Sequence, residues 1–171
     1  MADRSRVAAL PGLKVGIAWA GNPEYRADAR RSLPFGLLQP FAALAGVTFV
    51  SLQKGLAMRP ADDAGDGLRL ERFDAELSDF SETAALMMNL DLILSVDTAV
   101  AHLAGALGRP VWLFNRFDTD WRWLLDRGDS PWYPSLRVFR QSAPGHWAGV
   151  VNEMVAALVR EIAGFGDVAE R

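Results

Sequence analysis

Cysteine is absent from the 171-residue sequence, which excludes disulfides, thiolate metal sites and cysteine nucleophiles. Histidine occurs twice, as His102 and His146, too sparse for a histidine-rich metal centre. Lysine is almost missing as well: beyond Lys14 and Lys54 every basic side chain is arginine, a bias read as composition rather than function. No apolar run approaches the roughly 18–20 residues needed to span a bilayer. The opening MADRSRVAALPGLKVGIAWAG has no apolar stretch of signal-peptide length, so a cytoplasmic location is expected. A net charge of −3 and a pI near 5.4 leave no basic footprint for nucleic acid.

Against these absences stand 50% hydrophobic and 23% charged residues, the balance of a compact core. Short apolar runs begin at Lys14–Ala18, Val47–Leu52, Leu68–Arg72, Leu92–Val96, Pro110–Phe114 and Leu136–Gln141. Helical segments are predicted between them: Pro34 to Leu44, Glu82–Asn89 capped by Ser81, Thr98–Leu107 closed by Gly108, and a long amphipathic helix from His146 to Ala163. Strands that read as continuous apolar runs and alternate with helices imply a mostly parallel sheet covered on both faces. The expected fold is α/β, a Rossmann-like doubly wound domain of about six strands. It is expected over residues 14–163, with an N-terminal extension at 1–13 and a tail at 164–171.

In such folds ligands gather at the carboxyl ends of the strands, where strand order reverses. The stretch LILSVDTAVAHLAGALG ends a strand in Asp97 and Thr98 and then starts a helix. That helix start offers unpaired N–H groups and partial positive charge to a phosphate. Thr98 and Ala99 lie at the start, and His102 follows Thr98 by one helical turn on the same face. An ordinary N-cap beside a packed histidine fits that spacing equally well. Other strand ends add Gly21-Asn22 with Arg30, Arg31 and Ser32, then Gln53 and Lys54, then Asp79. Cations beside a helix start make a diphosphate clamp; the arginines alone would read as a solvated loop.

Several signals are missing. No GxxxxGK loop occurs, and AGNP follows the first strand in place of GxGxxG, which disfavours a nucleoside triphosphatase and a nicotinamide oxidoreductase. No serine has a G-x-S-x-G setting. Asp118-Thr119-Asp120 spells D-x-D beside Trp121 and Trp123, a segment that reads as packed rather than metal-binding. The tryptophans serve mainly as core, with Trp132-Tyr133 in position to line a pocket.

The runs KVGIAWAGNP, RRSLPF, VTFVSLQKG, LSDFSETAALMMNLDLILSVDTAVAHLAGALGRPVWLF and DWRWLLDRGDSPWYPSLRVFRQ resemble the carboxyl-terminal half of glycosyltransferase family nine, the heptosyltransferase-like enzymes, and versions of them attached to tetratricopeptide repeats. The most specific element is D-T-x-x-x-H followed by A-G-A-L-G-x-P-V-W. The resemblance implies one half of a GT-B fold, the half that grips a nucleotide-diphospho-sugar. Under it Asp97, Thr98, Ala99 and His102 match the donor-diphosphate motif. Arg31 and Ser32 fall near the phosphates, Asn22 at the first strand end, and Gln53 or Lys54 near the nucleoside. It further implies no metal and no cofactor, with His102 and Lys54 stabilising the leaving diphosphate and no residue assigned as catalytic base. The acceptor half does not fit before Lys14. The chain is therefore expected to be a fragment of a longer transferase or a free-standing donor-binding module, inactive alone, whose partners are the nucleotide-sugar and an acceptor domain or tetratricopeptide-repeat region, with a homodimer the other assembly open to it. The rival is a non-catalytic nucleotide-binding or protein-docking module. An apolar strip around Trp19, Phe35 and Phe117, coverable by homodimerisation, is also expected.

Overall fold

The computed structural model describes residues 4–58, 67–73 and 75–169. After a short helix α1 (Arg4–Ala8), five strands run through the chain: β1 (Leu13–Ala18), β2 (Val47–Ser51), β3 (Leu92–Val96), β4 (Val111–Asn115) and β5 (Leu136–Arg140). All pair in parallel, in the spatial order β2-β1-β3-β4-β5. The helices are α2 (Asp28–Arg31), α3 (Phe80–Met87), α4 (Ala99–Ala106) and α5 (Trp147–Ala169), with 3-10 turns at Phe35–Ala43, Gly55–Met58 and Trp121–Trp123.

Alternation along each strand divides the core. Leu92, Leu94 and Val96 of β3 join Val15 and Ile17 of β1 and Trp112 and Phe114 of β4 on one face. There Trp147, Val150, Val151, Met154 and Leu158 of α5 cover them, at the i, i+3, i+4, i+7 spacing of one helical face. Ile93, Val111 and Leu113 point to the other face, against Leu86 and Met87 of α3 and Ala101 and Ala104 of α4. A fully buried side chain such as Ile93 contributes about 1.5–3 kcal/mol relative to exposure. That double burial is why the strands carry no polar face.

Five strands replace the expected six. Leu68–Arg72 makes only a single bridge, Val50 to Glu71. Glu71 N donates to Phe49 O at 2.8 Å and Ser51 N to Glu71 O at 2.9 Å. The segment expected to be a helix from Pro34 is a 3-10 run from Phe35 to Ala43, because Pro40 lies inside it and has no N–H for an α-helical bond. Asp79, not Ser81, caps α3, accepting from Glu82 N at 2.9 Å. The last helix begins at Trp147 and runs on to Ala169. Trp19 and Phe35 are buried against each other, ring centroids 4.8 Å apart, so of the expected apolar strip only Phe117 is exposed. No helix among the described residues is long and apolar enough to cross a membrane.

Candidate functional site

From β1 the chain proceeds to β2 on one side of the sheet, while β3 pairs with β1 on the other. Strand order therefore reverses between β1 and β3, and the crevice beyond their carboxyl ends is the expected binding place. A cleft of about 700 Å³ opens there, lined by Gly21, Asn22, Arg31, Gln53, Lys54, Leu56, Phe80, Thr98 and Ala99 among others. A hollow of about 380 Å³ adjoins it through Arg31, Thr98 and Ala99, and adds Tyr25, Asp97, His102, Asp120 and Arg122.

The residues nominated at the end of β1 and β2 divide between building the wall and facing the cleft. Gln53 is buried, and its Oε1 accepts from Trp19 N at 3.1 Å and Ala20 N at 2.9 Å. It satisfies the backbone where β1 ends rather than reaching into the cleft. The ammonium of Lys54 donates to Leu77 O, which holds it along the cleft wall. Asn22 Oδ1 accepts from Glu24 N at 3.0 Å, fixing the turn that follows β1.

A carboxylate not singled out in the sequence organises this corner. Asp28 is 6% exposed; it accepts from Arg31 Nε at 2.9 Å and from Ser32 Oγ at 2.7 Å. Ser32 Oγ in turn accepts from Gly21 N at 2.9 Å, so Ser32 serves the loop rather than the cleft. Arg31 Nη1 donates to Asp97 O at 2.9 Å, which ties this loop to the end of β3. Its guanidinium also lies 4.8 Å from the centre of the Tyr25 ring. Gly21 is required by space: a Cβ there would stand 2.2 Å from Asp28 Oδ1 and 2.5 Å from Arg31 Nη2. The signal for Asp28 in the sequence was an acid placed inside an arginine-rich loop.

At the end of β3, Thr98 occupies the N-cap position of α4 in an extended conformation, yet its side chain makes no capping hydrogen bond. Thr98 Oγ1 lies 3.4 Å from Ser95 Oγ. The first turn of α4 thus presents a hydroxyl and uncapped amides to the junction of cleft and hollow, where an anion is favoured. His102 stands one turn on, its Nε2 3.7 Å from Asp97 Oδ1 and its Nδ1 3.1 Å from Tyr133 Oη. Its ring stacks on buried Trp123, 5.1 Å between centroids at 21°. Burial holds its pKa below the usual imidazole value; Asp97 pulls it upward, Arg122 pushes it down further, and Asp120 opposes that.

The D-x-D carboxylates are each engaged by arginine. Asp118 pairs with Arg30 and, at 3.6 Å, with Arg116. Asp120 caps the turn Trp121–Trp123 by accepting from Arg122 N at 3.0 Å and pairs with its guanidinium at 2.9 Å. Burial alone would raise the Asp120 carboxyl, but these bonds outweigh it and lower its pKa. Among the described residues no cluster of three metal-ligating side chains occurs.

Residues 76–116 match the family described as glycosyltransferase family 9 (heptosyltransferase). The matched span contains Asp97, Thr98, Ala99 and His102. Protein FlbA of Caulobacter vibrioides is 32% identical over 152 residues, covering 86% of this chain and 25% of FlbA. The structure of the E. coli ADP-heptose lps heptosyltransferase II superposes with a TM-score of 0.61 at 16% identity, over 92% of this chain and 51% of that one. The chain thus spans a quarter of the one relative and about half of the other. The five-stranded parallel sheet is thus shared with the heptosyltransferase fold, and residues 76–116, which carry the strand-end motif, are similar to glycosyltransferase family 9 (heptosyltransferase).

Proposed function

We propose that this domain binds the donor, a nucleotide-diphospho-sugar, for a heptosyltransferase-like glycosyl transfer. The observation that carries the reading is the uncapped start of α4 at the topological switch point, with Thr98 and Arg31 beside it. The nucleoside lies in the larger cleft, where exposed Leu56 and Phe80 supply apolar surface. The diphosphate lies over the first turn of α4, taking bonds from the Thr98 hydroxyl and the amides that follow it, with the Arg31 guanidinium alongside. His102 donates to a phosphate oxygen when protonated, and Asp97 orients that ring. Lys54 reaches the diphosphate only by releasing Leu77 O.

In the transfer itself an acceptor hydroxyl attacks the anomeric carbon while the bond from that carbon to the diphosphate oxygen breaks. Negative charge then grows on the departing diphosphate, where Arg31 and the helix start stabilise it. The acceptor site and the base belong, in this proposal, to a second domain, and the present chain alone binds donor without turning it over.

Calorimetric titration with ADP, UDP and GDP tests the reading. One diphosphate is expected to bind in the micromolar range. Thr98→Ala and Arg31→Ala should each weaken it about tenfold, the equivalent of one lost charge-assisted bond. Absence of binding by all three refutes the proposal.

A further inference from the structure

Beyond the hollow lies a slot of about 240 Å³ lined by His102, Trp121, Arg122, Trp132 and Tyr133. It borders the hollow, since His102 and Arg122 line both. Cleft, hollow and slot therefore lie in succession past the start of α4. The slot holds about eight water molecules' share of liquid volume, room for one sugar ring and too little for a nucleotide.

Its walls are built rather than accidental. Trp121 and Trp132 are 65% and 57% exposed, large apolar surfaces left toward solvent. They meet edge to face, 6.3 Å between centroids at 82°. Trp132 is fixed by its indole N–H, which donates to Arg122 O at 3.0 Å, and Arg122 lies 4.8 Å over the Trp121 ring. Tyr133 seats against α4 only because residue 105 is glycine: a Cβ there would stand 2.5 Å from Tyr133 Cγ. That seat delivers the phenol hydroxyl to His102 Nδ1. The slot thus combines rigid aromatic faces with hydroxyl, imidazole and guanidinium groups on one rim. A sugar ring has the matching pair of surfaces: an apolar C–H face for the indoles and hydroxyls for the polar rim.

We infer that Trp121 and Trp132 form the platform for the sugar ring of the nucleotide-sugar and decide which sugars the domain accepts. The inference rests on the donor-binding reading, because the diphosphate at the start of α4 places the attached sugar at the mouth of the slot. Stacking on a fixed indole contributes on the order of the aromatic contacts measured elsewhere, about a fivefold gain in affinity.

The test is a paired titration of the full chain: ADP against ADP-glucose, UDP against UDP-glucose, and GDP against GDP-mannose. For one pair the nucleotide-sugar should bind about fivefold tighter than its diphosphate. Trp121→Ala and Trp132→Ala should reduce that ratio toward one, and Trp132→Phe, which keeps a ring and loses the indole size and its bond to Arg122 O, should reduce it less. All three should leave affinity for the free diphosphate within about twofold, which shows that each variant is folded. A ratio of one in the unaltered protein for every pair, or a ratio that the tryptophan substitutions leave intact, overturns the inference while the donor reading stands. Failure of all diphosphates to bind overturns the donor reading and the inference with it.

Discussion

Removing the Asp28 carboxylate tests whether the candidate site is held from below by one buried charge. Asp28→Ala deletes the acceptor of two bonds, from Arg31 Nε at 2.9 Å and Ser32 Oγ at 2.7 Å. Bonds to an ionised partner contribute about 1.5–3 kcal/mol each. The Arg31 side chain is 21% exposed and retains its bond to Asp97 O, so water and that carbonyl recover part of the loss. A net cost of about 3 kcal/mol remains. For a chain of this length each kcal/mol moves Tm by about 2–4 °C, so the midpoint should fall by about 6–12 °C. Asp28→Asn keeps the shape and loses the charge, and should cost about half as much. Thermal unfolding followed by circular dichroism reads the stability, and calorimetry with ADP reads the site. Affinity should drop about fivefold in Asp28→Ala because Arg31 is then anchored at one end only. A midpoint within about 2 °C of the unaltered protein would show that the carboxylate is not the keystone the geometry describes.

Three further outcomes follow from the structure. Gly105→Ala drives a methyl into the Tyr133 ring and should destabilise the domain by about 1–3 kcal/mol, read as a lower urea midpoint; an unchanged midpoint would mean that Tyr133 is free to move aside. His102 titrates below its usual value of 6.5 in the free protein, chiefly through burial. A bound diphosphate favours the imidazolium, so binding takes up a proton. ADP affinity should therefore strengthen as pH falls toward the free-state pKa and level off beneath it. Subtracting the profile of His102→Gln removes the nucleotide's own titration, and two parallel profiles would sink the assignment of His102 to the phosphates. The same lowered pKa has the opposite sign for folding. The unfolded chain takes up the proton first, so the contribution of neutral His102 is full above 6.5 and is lost progressively as pH falls from there through the lowered folded-state value.

The sheet was legible because its strands are buried on both faces and so appear as unbroken apolar runs. LILSV gives Leu92, Leu94 and Val96 to one face and Ile93 to the other. The same signal misled at Leu68–Arg72, where Leu68 is buried as a strand residue would be but, among the described residues, Glu71 alone bridges to a strand. Apolar content reports burial, and a ladder needs several paired amides in addition. Helix ends were less legible for a related reason. Ser81 and Asp79 are both good caps by type, and only the extended backbone at Asp79, with its carboxylate on Glu82 N, settles which of them starts the helix. Pro34 is a start signal by type, while Pro40 six residues on, lacking an N–H, converts the run to a 3-10 helix.

At the site, position in sequence gave the neighbourhood but not which way each group faces. All nine nominated residues lie at the carboxyl edge of β1, β2 and β3, as the switch-point rule requires. Yet Gln53 and Ser32 spend their polar atoms on backbone amides of the β1 loop, because a strand that ends inside a core leaves N–H groups that something must satisfy. Thr98 is the converse case. It is the residue type that ordinarily caps a helix, and here its hydroxyl makes no cap. A helix start without a cap, beside an arginine pinned by a buried carboxylate, is a place where folding leaves donors unpaired. Unpaired donors in a crevice are stable only where water or an anion can reach them. That separates Thr98, Ala99 and Arg31, which retain capacity for a ligand, from Gln53 and Ser32, which have already used theirs.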